Sequence, residues 1–453
     1  MIGRSFRHLA TRKQNKQMMW AKRCTALAVF LLLASAATPA LAQSTEPNFE
    51  QFQWNFSNPG ARARGMGGSF IGVADDATAA IANPAGLLAL TKPQVYFEFK
   101  SVSTDSKRFA ATDSFLTRTT TTFHNRSNFP SFVSVAFPVG DRLAVSFARH
   151  QFLYFVDHFA YAPRLSHAGT TLSPLTGASD FRAASYAGSI AVALGKKVRL
   201  GVTVALNRLT AHANTTTFKF VTTPAGPVAT GDVESVASFG PSADSGGASS
   251  ASFTMGLLYR PNTTATLGFF YAKTPRFKMQ LAVTDAAGAP VEAPTDLFIN
   301  VPTRLGFGGS IRKGRVLIAG DFVVILYEQL LKDFVVQSSL LSKGLKSSNY
   351  RIGDGGELRF GAEITLKRGR TQVFGRCGLN LRDDARLHFE QAFNTALTPT
   401  VISEEEDKLN LIKKDSEPGD TTAGIGVVFA RRAQFDFAVT SNRELTASFM
   451  VRF

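Results

Sequence analysis

His150, Asp157 and His158 are the nearest approach in this sequence to a metal-binding or base-orienting cluster. Their spacing matches no zinc-ligand pattern. Ser146 stands four residues before His150, as a nucleophile stands near its base in outer-membrane lipid hydrolases. Even spacing along a strand puts both on one face, and that face carries Ala144 and Ala148 rather than the bulky apolar side chains that would meet lipid. No GxxxxGK[ST] loop occurs, and a glycine run such as Gly65-Met66-Gly67-Gly68 does not substitute for one. We assign no catalytic residue, metal ligand or cofactor. The chemistry left is that of charge: Arg149, Arg199, Arg304, Arg359 and Arg376 can hold a carboxylate head group, or they can pair with Glu98, Asp321, Glu363 and Asp436.

These residues sit on segments that alternate strictly. In "VRLGVTVALN", Val198, Leu200, Val202, Val204 and Leu206 oppose Arg199, Gly201, Thr203, Ala205 and Asn207. "DRLAVSFAR", "ELRFGAEITL" and the terminal "ELTASFMVRF" behave in the same way. Period two is the signature of β-strands with one apolar face. A soluble sandwich or solenoid would turn that face inward, whereas a membrane barrel turns it to lipid and keeps the mixed face for the lumen. Arg199, Arg304, Asp321, Arg359, Glu363, Arg376 and Asp436 all fall on the second face among Gly, Ser and Thr, which favours the barrel. Closure also removes the unpaired strand edges that lipid forbids. The fold class expected is all-β, an antiparallel transmembrane barrel of about fourteen strands, since such counts are even.

The strand segments are placed near 93–101, 130–138, 141–152, 184–194, 197–209, 251–260, 264–273, 302–312, 315–327, 355–367, 370–380, 420–430, 432–440 and 443–453, with less regular ones at 275–284 and 384–391. Tight turns such as Val139-Gly140-Asp141 and Lys313-Gly314 mark the periplasmic end. Long connections are expected at 153–183, 210–250, 285–301, 328–354 and 389–419.

The start of the chain reads as an export signal. Seven basic residues and no acidic one precede the apolar run "TALAVFLLLASAATPALA", which closes on Ala40-Leu41-Ala42. The run is short for a membrane-spanning helix. Cleavage before Gln43 takes the seven positive charges away, so the net charge of +16 becomes +9. Met18 or Met19 is an alternative start. Cys24 leaves with the signal, and Cys377 alone cannot form an internal disulfide. No basic cluster of a nucleic-acid binder stands out. The domains are then 1–42 signal peptide, 43–92 N-terminal plug and 93–453 barrel.

The plug assignment rests on "ARGMGGSFIGVADDATAAIANPAGL", residues 63–87. A lumen of fourteen strands has room for more than side chains, and a narrow folded segment can fill it. Gly65, Gly67 and Gly68 permit close approach and turns closed to other residues. Asp75 or Asp76 is expected to cap a short helix through "DATAAIA", with Pro84 ending it after Asn83. Ala77, Ala79, Ala80 and Ala82 add little width to that helix, Ala85 follows in the same plug segment, and Gly86 is expected to take a reversing turn.

The same stretch resembles the early segment of the outer-membrane long-chain fatty acid and hydrocarbon transporters of the FadL/TodX/OmpP1 type, with Asn83, Pro84 and Ala85 on that family's Asn-Pro-Ala trio. "FTMGLLYRPNTTATLGFFYA" (253–272), "VPTRLGFGGSIRKGRVLIAGDF" (301–322) and the end of the chain from "FGRCGLNL" to Phe453 are similar to its later hairpins and closing strands. The resemblance implies passive uptake of hydrophobic small molecules such as fatty acids, gated by the plug. It also implies a terminal Phe453 read by the barrel-insertion machinery, and surroundings of outer-membrane lipid and lipopolysaccharide. A monomer is expected, with no nucleic acid among its partners. The alternatives are a general channel and a partner of a secretion or assembly system. Ligand contacts are sought in the aromatic stretch Phe152, Tyr154, Phe155 and Phe159 beside Arg149, which is either an interface girdle or a landing site. They are also sought at Leu330 and Phe334 on a loop helix or strand extension.

Overall fold

The computed structural model describes residues 56–111, 118–161, 175–223, 226–241, 248–291, 293–332, 350–383 and 419–453, with short pieces at 43–44, 164–165, 171–172 and 387–389. The proposed signal peptide and most of 389–419 lie outside the described residues. We label the long strands in chain order. They are β1 (Gln94–Ala111), β2 (Arg118–Val139), β3 (Leu143–Tyr161), β4 (Leu175–Leu194), β5 (Val198–Thr223), β6 (Gly226–Gly240), β7 (Ala248–Tyr259), β8 (Ala265–Lys273) and β9 (Arg276–Asp285). They continue as β10 (Thr295–Asn300), β11 (Arg304–Lys313), β12 (Val316–Ile325), β13 (Gly355–Lys367), β14 (Thr371–Arg382), β15 (Gly419–Phe429), β16 (Ala433–Thr440) and β17 (Glu444–Arg452).

Fourteen of these close a ring. Leaving out β6, β9 and β10, each strand pairs antiparallel with the next, and β17 returns to β1 through Gln94↔Arg452. Backbone polar groups in hydrocarbon need partners, and a ring provides them without an edge. Among the described residues no helix is long and apolar enough to cross a membrane. The strands do the crossing.

Side-chain exposure follows the alternation. Phe147 is 67% exposed, Val204 60% and Ile318 60%, while Ala144, Ser146, Thr203, Ala205 and Ala319 on the opposite faces are buried. The bulky residues therefore point outward, and the small and polar ones point in.

The loop ends differ from the sequence reading. The connections expected at 153–183 and 210–250 are partly strand, since β3 runs to Tyr161, β4 begins at Leu175, and β5 runs to Thr223 before β6. Strand β5 forks. Up to Leu209 it pairs with β7, and from Ala213 it pairs with β6 instead. Strand β6 then pairs with β9, and β9 with β10, giving a side sheet outside the ring. Beyond the bilayer lipid no longer dictates the outward face, so the long alternation that marks a wall strand has no cause to persist, although Phe277 and Met279 of β9 are buried on one side.

One ring pair is incomplete. The β2–β3 ladder runs from Val139↔Leu143 to Phe132↔His150 and stops there, although both strands continue. Above that point β2 pairs with β1, and β3 with β4. Both strands are irregular at the break, with register shifts at Glu98/Phe99 opposite β2 and at Gln151/Leu153 within β3. Pro130, which has no N–H to donate, sits beside it.

If the exposed valines face hydrocarbon, Val204→Arg in the middle of the wall portion of β5 should cost about 2–4 kcal/mol. Unfolding from lipid bilayers by denaturant measures this. A cost near zero would place that face in water.

Candidate functional site

Residues 56–90 pack against the inward faces of the ring. The segment holds a short helix α1 (Ala61–Gly65), a single turn α2 (Ala79–Ala82) and a 3-10 helix (Pro84–Ala89). Nearly every residue from Asn58 to Leu87 is buried. Gly67 and Gly68 take φ of 66° and 79°, the left-handed region that favours glycine, and turn the chain after α1.

The wall makes room with glycines of its own. Gly201 pairs with Gly256, Gly268 with Gly308, and Gly361 with Gly378 across adjacent strands. Each meets segment backbone or Cβ atoms: Gly201 and Gly256 lie on Pro84, Gly268 and Gly308 on Ile71, and Gly361 and Gly378 on Met66. A Cβ on Gly256 would lie 2.8 Å from Pro84 Cδ, and one on Gly361 2.7 Å from Met66 Cβ. No side chain larger than hydrogen fits at these points.

Two details of the segment depart from expectation. The helix expected from Asp75 or Asp76 is only the turn Ala79–Ala82, with Thr78 at its N-cap and no side-chain cap. Asp76 instead accepts from the Thr78 amide, 3.0 Å away, and Asp75 pairs with Arg62. Burial pushes the Asp76 carboxyl upward, against the pull of Arg62. Gly86 makes no reversing turn. It lies within the 3-10 helix, where a Cβ would collide with Ala74. Asn83 caps that helix through Ala85 N, and its amide donates to the carbonyls of Ile71 and Leu257 at 3.1 and 3.2 Å. Pro84 therefore starts a helix as well as following the end of one, a position that needs no N–H.

Charge ties one half of the segment to the wall. Arg62 Nε donates to Glu363 at 2.8 Å, Glu363 receives Arg376 Nε at 2.8 Å, and Arg376 Nη1 reaches Asp436 at 2.6 Å. Arg64 pairs with Glu444 at 2.9 Å, and Lys100 reaches the same carboxylate at 3.1 Å. No ion pair among the described residues includes Asp321. Its carboxylate accepts the main-chain amides of Phe70 and Ile71 at 2.6 and 2.9 Å. Glu98 likewise accepts from Gly60 N and from Ser131 Oγ. Arg359 pairs with Glu357, a partner not foreseen. Arg199, expected in this network, is half-buried near the turn end of β5, and no ion pair among the described residues includes it.

The other half is held more lightly. Thr203 Oγ1 donates to Ala80 O at 2.7 Å, Ser134 Oγ to Ala77 O at 3.2 Å, and Ser310 Oγ to Gly72 O at 2.8 Å.

Above this lighter half is a cavity. Phe56, Ile81, Phe152, Phe253, Ala272 and Val301 give it apolar walls, while His150, Asn207, Ser252 and Arg304 add polar atoms. No carboxylate lines it. Arg304 lies over the rings of Phe56 (4.8 Å) and Phe270 (5.9 Å), donates to Phe56 O at 3.2 Å and leaves its buried Nε unpartnered. Its expected carboxylate partner is absent among the described residues. His150 is buried against Phe132 and Phe152, and His158 is exposed. Among the described residues, no three His, Cys, Asp or Glu converge as metal ligands do.

The aromatic stretch is divided. Phe152 points into the cavity, and Tyr154 stacks on Phe129 with ring centroids 4.5 Å apart. The side chains of Phe155 and Phe159, and Phe334 altogether, lie outside the described residues. Leu330 is buried in a 3-10 turn, Tyr327–Leu331, and the rest of the stretch read as a short loop helix or a strand extension, from residue 333 on, lies outside the described residues. Phe453 is 66% exposed beyond β17. Phe56, Phe253 and Val301 were missed by sequence reasoning. Their signal was their place at segment and strand ends flanking the glycine-bearing hairpins.

The model of the outer membrane protein transport protein family (OMPP1/FadL/TodX) matches residues 41–302. The chain belongs to this family. It is an outer-membrane transport protein. Among solved structures, it is similar to the Pseudomonas putida toluene transporter TodX, at 14% identity and a TM-score of 0.57 over 88% of this chain and 99% of that one. It is also similar to a Pseudomonas aeruginosa FadL homologue (11%, 0.57, 88% and 98%) and to the Ralstonia pickettii toluene transporter TbuX (14%, 0.52, 88% and 99%). At such identities these structures speak for the fold. No curated protein matches the chain in sequence.

Removing the charge of Glu363 takes one buried carboxylate partner from each of Arg62 and Arg376, which keep Asp75 and Asp436, so Glu363→Gln should cost up to about 3–5 kcal/mol. Asp180→Asn, which breaks an exposed pair with Arg182, should cost about 0–1 kcal/mol. Denaturant midpoints of the two variants test the contrast, and equal costs would mean that the lumen is open to water.

Proposed function

We propose that this protein admits hydrophobic small molecules, long acyl chains among them, by passive diffusion through the outer membrane. The observation that carries the reading is the cavity, with its apolar walls at Phe56, Ile81, Phe152, Phe253 and Val301 and two cations, Arg304 and Lys273, in its lining. An apolar body gains about 25 cal/mol per Å² on leaving water, and Arg304 suits a polar head.

Residues 56–90 act as the plug. The half around Arg62 and Arg64 stays fixed by buried ion pairs, while the half from Ala77 to Ala89, held by hydroxyls and glycine contacts, is the part free to shift. A ligand that binds one plug arrangement better than another moves the population and needs no energy source. The cavity wall at His150 and Phe152 adjoins the break between β2 and β3, which gives an exit sideways through the wall. Outer-membrane lipid and lipopolysaccharide surround the ring, the insertion machinery reads Phe453, and one chain suffices.

In cells lacking their own hydrophobe channel, this chain should restore uptake of a labelled hydrocarbon. Ala205→Trp, which fills the cavity, should lower that uptake at least about tenfold, the effect of about 1.4 kcal/mol. Tethering Ala80→Cys to Thr203→Cys in a Cys377→Ala background should also block it, with recovery on reduction. Steady ion conductance by the unmodified protein in planar bilayers would point instead to a general channel.

A further inference from the structure

Arg149 is an anomaly of the outer wall. It pairs across the sheets with Val133 and Tyr186, and Tyr186 is exposed on the outward face, as is Phe147 two residues before it. An arginine on a lipid-facing surface costs up to about 2–4 kcal/mol at mid-depth. This one is bound at the margin of the break. Its Nη1 donates to the Pro130 carbonyl at 3.1 Å and its Nη2 to Gln151 Oε1 at 2.7 Å. Pro130 belongs to β2 and Gln151 to β3, so the guanidinium spans the two strands just where their ladder ends. Of the ring pairs described, this is the one whose ladder stops while both strands run on, and here a side chain takes the place of main-chain bonds. Higher up, the Phe129–Tyr154 stack is the next link between the strands.

Both acceptors are neutral. A carboxylate or another oxyanion is a stronger partner for a guanidinium, through charge-assisted and bidentate bonds. We infer that Arg149 is the clasp of the wall break, and that it is opened by exchange: an anionic head group takes the guanidinium from Pro130 and frees the edge of β2. A neutral molecule has nothing to offer in that exchange. Arg149 thus sets a preference for amphiphiles with an anionic head over uncharged molecules of equal length. This rests on the uptake reading above. It adds a specificity-determining residue outside the cavity, on the membrane face.

The test uses the full chain in detergent micelles, with Cys377→Ala and spin labels at Ser127→Cys on β2 and His158→Cys on β3. Dodecanoate should lengthen the distance between the labels, and dodecanol should not. In Arg149→Gln the distance should be long without any addition and should not respond, whereas Arg149→Lys should keep part of the response. In intact cells, a preference of about tenfold for dodecanoate over dodecanol, the effect of about 1.4 kcal/mol, should fall to near one in Arg149→Gln because dodecanol uptake rises. An unchanged distance with dodecanoate, or an unchanged preference in Arg149→Gln, overturns the proposal. Added lipopolysaccharide separates the two sources of oxyanion, because a response equal to that of dodecanoate would assign the site to membrane phosphates and overturn a role in choosing cargo. If cells with the unmodified chain take up neither probe, the uptake reading falls, while the distances still judge the clasp.

Discussion

Hydrocarbon offers no partner to a main-chain amide, and most of this architecture follows from that constraint. It forces the fourteen strands to close through Gln94↔Arg452, and it sends Phe147, Val204 and Ile318 outward. Closure then poses a second problem, because the interior must be filled. A bundle of bulky side chains would fill it permanently. This protein fills it with its own backbone, and the facing glycine pairs let main chain lie on main chain.

The interior charges work in the same frame. A buried carboxylate without a partner is costly, so Glu363 is shared by Arg62 and Arg376, and Glu444 by Arg64 and Lys100. Asp321 and Glu98 are satisfied by amides of the segment itself. Wall and segment therefore complete each other. Charged contacts hold one side of the interior and hydroxyl and amide contacts the other, with the cavity above the uncharged side.

The fourteen wall strands were legible because lipid and lumen impose opposite demands on alternate residues, as in "VRLGVTVALN". The outer extensions were not, since Thr215–Thr217, half-exposed in succession, ask for no alternation. Which charges would share the interior was readable from their face. Their individual partners depend on register and were only partly so: the Arg376–Glu363 contact joins residues directly opposite on β13 and β14, while Arg62 reaches Glu363 from across the chain. The break between β2 and β3 is a matter of pairing, which local pattern does not encode. Pro130 was its one local trace.

The fork in β5 has a practical meaning. Its outer portion carries β6, β9 and β10, through which no wall ladder passes, while Phe277, Met279 and Ile299 of this side sheet are buried in one cluster with Leu209, Val323 and Ile325 of the wall. The exposed turn between β9 and β10 lies away from that cluster, so an insertion there can carry a foreign epitope without re-registering the staves beneath, whereas trimming the side sheet would uncover them.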